Sequence, residues 1–333
     1  MAGEPLLRVE DLVVDYAGAG SITRAVDGVN LDVYPGEFLG LVGESACGKS
    51  TLLFAIARLL SDPAEIVAGR VTFQGRNLVM LREKQLRHLR WKDFSVVMQS
   101  AMNALNPVMT IEDQLLDVIR AHDRMPTRGA KARAAEVLRL VGIDPIHLNS
   151  YPHQLSGGMR QRAMIAMALI FTPDLILADE PTSALDVVAQ RSLMIQIKEL
   201  QRKLHFAVIF VTHDMSLVGR YSDRIAIMYA GQLVETAAAR QIFAEPQHPY
   251  TQGLLRAYPS IHGPRRELVG IPGRPPDLRF AMTGCRFEPR CPVAEDRCSN
   301  AAPDVYHPRS DGFVRCFLHD GSRPASPPVE ARR

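Results

Sequence analysis

One stretch of nine residues limits the fold of this chain more than any other: Gly43-Glu44-Ser45-Ala46-Cys47-Gly48-Lys49-Ser50-Thr51. It fits the spacing G-x-x-x-x-G-K-S/T. The apolar run Phe38–Val42 precedes it and the helical run Leu52–Leu60 follows, so a strand feeds a helix through a glycine-rich loop. Such a loop lets several backbone N–H groups and a helix N-terminus converge on one anion. Lys49 is then a point charge for β- and γ-phosphates, and the Ser50 hydroxyl is a ligand for Mg²⁺. Cys47 reads as a loop residue and not as a redox centre.

A strand that ends in such a loop belongs to an α/β sheet, and two further runs fit the same sheet. Leu175–Ala178 and Ala207–Val211 are short and almost wholly apolar, as strands buried on both faces are. The first ends in Asp179-Glu180, which delivers two carboxylates to the strand ends where open α/β folds bind ligands. There Asp179 would hold Mg²⁺ and Glu180 would orient and polarise an attacking water. Leu155-Ser156-Gly157-Gly158-Met159 opens another helical run, with Ser156 as a good N-cap and two glycines that leave the backbone open to an anion. Residues from about 102 to 160 have little strand character and read as a helical insertion, with Lys131–Val141 as one helix stopping at Gly142.

Composition excludes several classes. With 47% hydrophobic and 23% charged residues in 333, the chain can bury a large core. Its 39 Lys+Arg against 36 Asp+Glu are spread along the sequence, which argues against coating nucleic acid. No apolar run approaches the roughly 18 residues of a membrane span, and the first residues lack the pattern of a secretory signal. A cytosolic protein that meets membranes through partners is expected.

After Phe243 the composition changes. Fourteen of 23 prolines lie from Pro246 onward, which excludes a long helix or a central strand there. The same region holds Cys285, Cys291, Cys298 and Cys316, spaced C-x5-C-x6-C-x17-C. In a reducing compartment such a group suggests a metal site, either Zn²⁺ or a 4Fe–4S cluster, that staples a segment without a core of its own. His307 and His319 are nearby substitutes as ligands. Residues 321–333 read as a disordered tail.

Taken in order, the phosphate loop, Leu155–Met159, Leu175–Glu180 followed by Pro181-Thr182-Ser183-Ala184-Leu185-Asp186, and a strand ending in Thr212-His213-Asp214 resemble the ATPase subunit of an ABC transporter. The likeness runs from about residue 7 to 240. It implies a P-loop NTPase with a mixed-sheet core, a helical subdomain and, here, a Pro/Cys-rich C-terminal extension. Residues 1–243 would form the nucleotide-binding domain and 244–320 the extension. The likeness also implies that Tyr16 stacks on adenine, that Gln99 senses Mg²⁺ and the membrane subunit, that Ser183–Asp186 form the D-loop, and that His213 contacts the γ-phosphate. It further implies a head-to-tail dimer in which Ser156, Gly157 and Gly158 of one subunit close over ATP held by the other. Ala46 departs from the pattern, standing where these proteins often carry glycine.

Gln247-His248-Pro249-Tyr250-Thr251, Leu254-Leu255 and the cysteine-rich end are similar to ATPases of the oligopeptide/dipeptide/nickel import group, whose likeness points to iron–sulfur over zinc. The resemblance implies an ATP-hydrolysing subunit, peripheral on the cytoplasmic side of the cell (inner) membrane. It would work with a second, paralogous ATPase subunit, two permeases and an extracytoplasmic binding protein, and not with nucleic acid. Di- or oligopeptide would be the cargo, with nickel or an oligosaccharide as the alternative. A soluble ABC ATPase acting on ribosomes or DNA is the reading of another class.

Overall fold

The computed structural model describes residues 3–18, 20–99, 104–183, 185–257, 270–280, 282–309 and 311–321; the tail 322–333 and Ala184 fall outside them. Eleven strands, β1 (Leu7–Gly18), β2 (Ser21–Val33), β3 (Phe38–Val42), β4 (Ala64–Phe73), β5 (Arg76–Asn77), β6 (Phe94–Val97), β7 (Leu175–Asp179), β8 (Ala207–Thr212), β9 (Arg224–Tyr229), β10 (Gln232–Ala238) and β11 (Phe313–Val314), form two sheets among these residues. The larger has the order β11-β10-β9-β3-β8-β7-β6. Its five strands from β9 to β6 are parallel, and β10 and β11 add an antiparallel edge. The smaller sheet, β2-β1-β4-β5, is antiparallel.

Alternation along the parallel strands splits the core in two. Phe38, Val42, Ile176, Val208 and Phe210 face one apolar cluster, which includes the helices between β6 and β7. Leu39, Leu41, Leu177, Ile209 and Val211 face the other, shared with the antiparallel sheet and the helix Lys49–Ala57. A parallel sheet covered on both faces must read as unbroken apolar runs, and every residue of β3, β7 and β8 is buried. The helical insertion comprises Ile111–His122, capped by the Thr110 hydroxyl accepting from Asp113 N–H, then Thr127–Leu140 and Gly157–Ala168.

The C-terminal extension does have apolar anchors, contrary to the expectation that a staple alone would order it. Tyr250, Leu254 and Phe287 belong to the first cluster. The rings of Phe287, Tyr229 and Tyr250 lie 4.5–5.4 Å apart, centroid to centroid, in tilted and edge-on contacts. The extension also supplies β11, with Val314 opposite Glu235 and Phe313 opposite Thr236, so it completes the main sheet.

Candidate active site

Strand β3 ends at Val42 and the helix begins at Lys49, so the loop Gly43–Gly48 hangs over the C-terminal edge of the parallel sheet. Two glycines are sterically required. A Cβ at Gly43 would lie 2.1 Å from the Met228 carbonyl oxygen, and one at Gly48, where φ is +107°, would lie 2.2 Å from that of Ala25. Ala46 also sits at positive φ, 62°, where glycine would be at ease and alanine costs about 1 kcal/mol. Cys47 is buried, and burial raises its thiol pKa, which suits an inert loop residue.

Lys49 is buried, and its Nζ donates to the carbonyl oxygens of Gly43 and Glu44 at 2.8 Å each. The Ser50 hydroxyl donates to Asp179 Oδ1 at 3.0 Å, so the loop and the end of β7 meet through the two groups expected at Mg²⁺. Burial raises the Asp179 pKa and the Ser50 hydrogen bond opposes it; a carboxylate in this position gains from a bound cation. Tyr16, near the end of β1, reaches Thr51 with its hydroxyl at 3.1 Å from Oγ1 and so borders the same helix.

Glu180 follows β7 with a left-handed backbone, φ 43°, and its N–H donates to the Val211 carbonyl. That turn aims the side chain along the sheet edge. Gln99 Nε2 donates to Glu180 Oε2 at 3.0 Å, and His213 Nδ1 lies 2.9 Å from Oε1. The end of β8, the segment after β6 and the end of β7 thus place His213, Gln99 and Glu180 in one cluster beside the Ser50–Asp179 pair.

Ser156, Gly157 and Gly158 lie elsewhere. Ser156 caps its helix by accepting from Met159 N–H, and a Cβ on Gly158 would meet nothing within 4 Å. Asp186 caps Val187–Leu204 by accepting from Val188 and Ala189 N–H at 2.9 Å each. These contacts are local to each helix end and do not run to the phosphate loop of the same chain.

Cys285, Cys291, Cys298 and Cys316 line one small pocket together with Phe287 and His248. Burial raises all four thiol pKa values, that of Cys316 up to about 12, and neighbouring cysteines add to the shift at Cys285, Cys291 and Cys316. Four thiols facing one apolar pocket form a donor set that only a cation would render favourable as thiolates. Among the described residues no three His, Cys, Asp or Glu side chains stand close enough together to hold a metal ion, so the four cysteines do not form a closed single-ion site.

Two residues of the extension to which the sequence assigns no part in the nucleotide site, Arg290 and Tyr250, reach the phosphate loop. Arg290 pairs with the Glu44 carboxylate and Tyr250 with the Glu44 N–H. They lie 246 and 206 residues from Glu44, and no local pattern announces such a pairing.

Comparison with known proteins fits this geometry. Residues 26–183 match the family model for ABC transporters, and 234–298 match that of the oligopeptide/dipeptide transporter C-terminal region. The dipeptide transport ATP-binding protein DppD of Bacillus subtilis is 43% identical over 320 residues, covering 95% of this chain and 96% of that protein. The chain belongs to the ABC transporter ATP-binding subunits of the oligopeptide/dipeptide group. Another relative, the oligopeptide transport ATP-binding protein OppD of Salmonella typhimurium, is 42% identical over 300 residues, 90% of this chain and 89% of that one. Among solved structures, a dimeric ATP-binding cassette in a post-hydrolysis state bound to ADP and Pi superposes with a TM-score of 0.63 at 30% identity, over 70% of this chain and 99% of that one. A cassette from Clostridium perfringens, cbiO1, gives 0.63 at 26% identity, over 73% and 92%. This ABC ATPase has no helix, among its described residues, long and apolar enough to cross a membrane.

Proposed function

We propose that this ABC ATPase energises uptake of di- or oligopeptides from the cytoplasmic face of the cell membrane, bound to two permeases that an extracytoplasmic binding protein supplies. A paralogous ATPase subunit is its dimer partner. The relatives' names and the match to the oligopeptide/dipeptide C-terminal region support the cargo. We assign residues 1–243 to the nucleotide-binding domain, with 102–160 as its helical part, and 244–320 to the extension.

The observation that carries the catalytic reading is the Glu180 carboxylate, held between Gln99 and His213 at the edge where Ser50 meets Asp179. ATP is gripped by the backbone of Gly43–Thr51, including Glu44, Ser45, Ala46 and Cys47, while Tyr16 borders the base. Ser50, Asp179 and Gln99 would hold Mg²⁺, which supplies charge neutralisation at the phosphates. Glu180 takes the proton of the attacking water, and Lys49 and His213 hold the charge that develops on the γ-phosphoryl group. Ser156, Gly157, Gly158 and Asp186 act on the partner's nucleotide; the purely local capping contacts of Ser156 and Asp186 support this reading. Glu180→Gln should keep ATP affinity and lower hydrolysis by about 10²–10⁴-fold; turnover at the wild-type rate would remove Glu180 as the base.

For the extension we propose a 4Fe–4S cluster held by Cys285, Cys291, Cys298 and Cys316. Around one Zn²⁺, four thiolates at about 2.3 Å must crowd together. A cluster sets an iron before each thiolate, and the four cysteines that would supply them line one pocket. Anaerobically purified protein should carry iron and sulfide and absorb in the visible; one equivalent of zinc and no colour would exclude the cluster.

A further inference from the structure

The extension touches the phosphate loop at Glu44 and grips that residue through both its side chain and its backbone. Arg290 lies in the 3₁₀ turn Glu288–Arg290. Its Nη1 and Nη2 donate to Oε2 and Oε1 of Glu44 at 2.7 and 2.9 Å, a two-pronged charge-assisted pair. The guanidinium is buried, and its Nε donates to the Pro272 carbonyl at 2.8 Å, so the fork is aimed before it meets Glu44. Tyr250, fully buried, accepts the Glu44 N–H at 2.9 Å. The Glu44 carbonyl, in turn, is one of the two oxygens that receive Lys49 Nζ.

Glu44 is therefore where the extension's grip and the seat of the phosphate-binding lysine coincide. Left alone, its carboxylate would put a negative charge in a loop meant for a triphosphate; the Arg290 fork cancels that charge and fixes its direction. We propose that Arg290 and Tyr250 are positioning residues for ATP, acting through Glu44 to set the first turn of the phosphate loop. This rests on nucleotide binding at Gly43–Thr51 and needs no metal in the extension. The competing possibility is that the pair only fastens the extension to the core, which would affect stability and leave nucleotide affinity alone.

Equilibrium titration of the full-length chain with Mg²⁺ and a non-hydrolysable ATP analogue separates the two, with a thermal melt of each variant as the control. Arg290→Ala should weaken the analogue about tenfold, Arg290→Lys by less, and Arg290→Ala combined with Glu44→Gln should recover most of the loss, because the uncompensated charge is gone. Tyr250→Phe keeps the packed ring and removes only the acceptor, and should weaken binding about two- to fivefold. Affinities within twofold of wild type in Arg290→Ala and Tyr250→Phe would overturn the proposal. So would a loss in Arg290→Ala that follows its melting temperature and is not recovered by Glu44→Gln. A wild-type chain that fails to bind the analogue would overturn the nucleotide-site reading and the brace with it.

Discussion

The rim of the parallel sheet and the C-terminal extension are ordered by different means. At the rim the backbone dominates: β3, β7 and β8 are fully buried, and Gly43 and Gly48 have no room for a Cβ. In the extension, one nine-residue helix, Pro249–Ala257, short turns and a two-residue strand are tied down by single side chains. Phe287 packs in an aromatic cluster, Arg286 pairs with Asp27, Arg290 with Glu44, and Arg309 with Glu245. Where backbone geometry specifies a structure, few residue types are tolerated. Where anchors specify it, the stretches between them are free to vary.

This contrast can be broken most directly at Lys49. Lys49→Ala should reduce ATP affinity or hydrolysis by about 10³-fold, equivalent to about 4 kcal/mol, with little change in a thermal melt. A comparable fall in stability would mean that the lysine is structural. Next, Phe287→Ala removes a ring that is 2% exposed, and should cost about 3 kcal/mol of stability in a denaturant titration. A loss below about 1 kcal/mol would show that the extension is held chiefly by its ion pairs or its cysteines. The smallest effect tests the departure from glycine within the phosphate loop. Ala46→Gly at φ 62° should leave stability unchanged or raise it by up to about 1 kcal/mol, since relief in the folded loop is offset by the greater freedom of glycine in the unfolded chain. A clear destabilisation would place the gain of alanine wholly in the unfolded state.

Legibility divides along the same line. Phe38–Val42 is readable to the residue, because a strand buried on both faces has no other composition. The helix after the loop starts at Lys49, three residues before its apolar run, because the loop itself turns into the helix. The antiparallel sheet is not legible. Bulges between Val9 and Leu12 and between Val14 and Asp15 break the alternation of β1, and its burial keeps no clean period. Asp179 and Glu180 can be read because they end and follow an apolar strand, whereas the role of His213 comes through the family likeness. The roles of Gln99 and Tyr16, and the dimer contact proposed for Ser156, Gly157, Gly158 and Asp186, come only through the family likeness. Arg290 carries no signal at all, since its partner lies 246 residues away.

One consequence of β11 concerns the growing chain. Until residue 314 has left the ribosome, the outer edge of β10 offers hydrogen-bonding groups to any neighbouring strand. The nucleotide-binding part can emerge and collapse well before then, so until residue 314 is made the nascent protein carries an open seam. Phe313 and Val314 close it late, and a chain cut short before them would be exposed to pairing with its own copies.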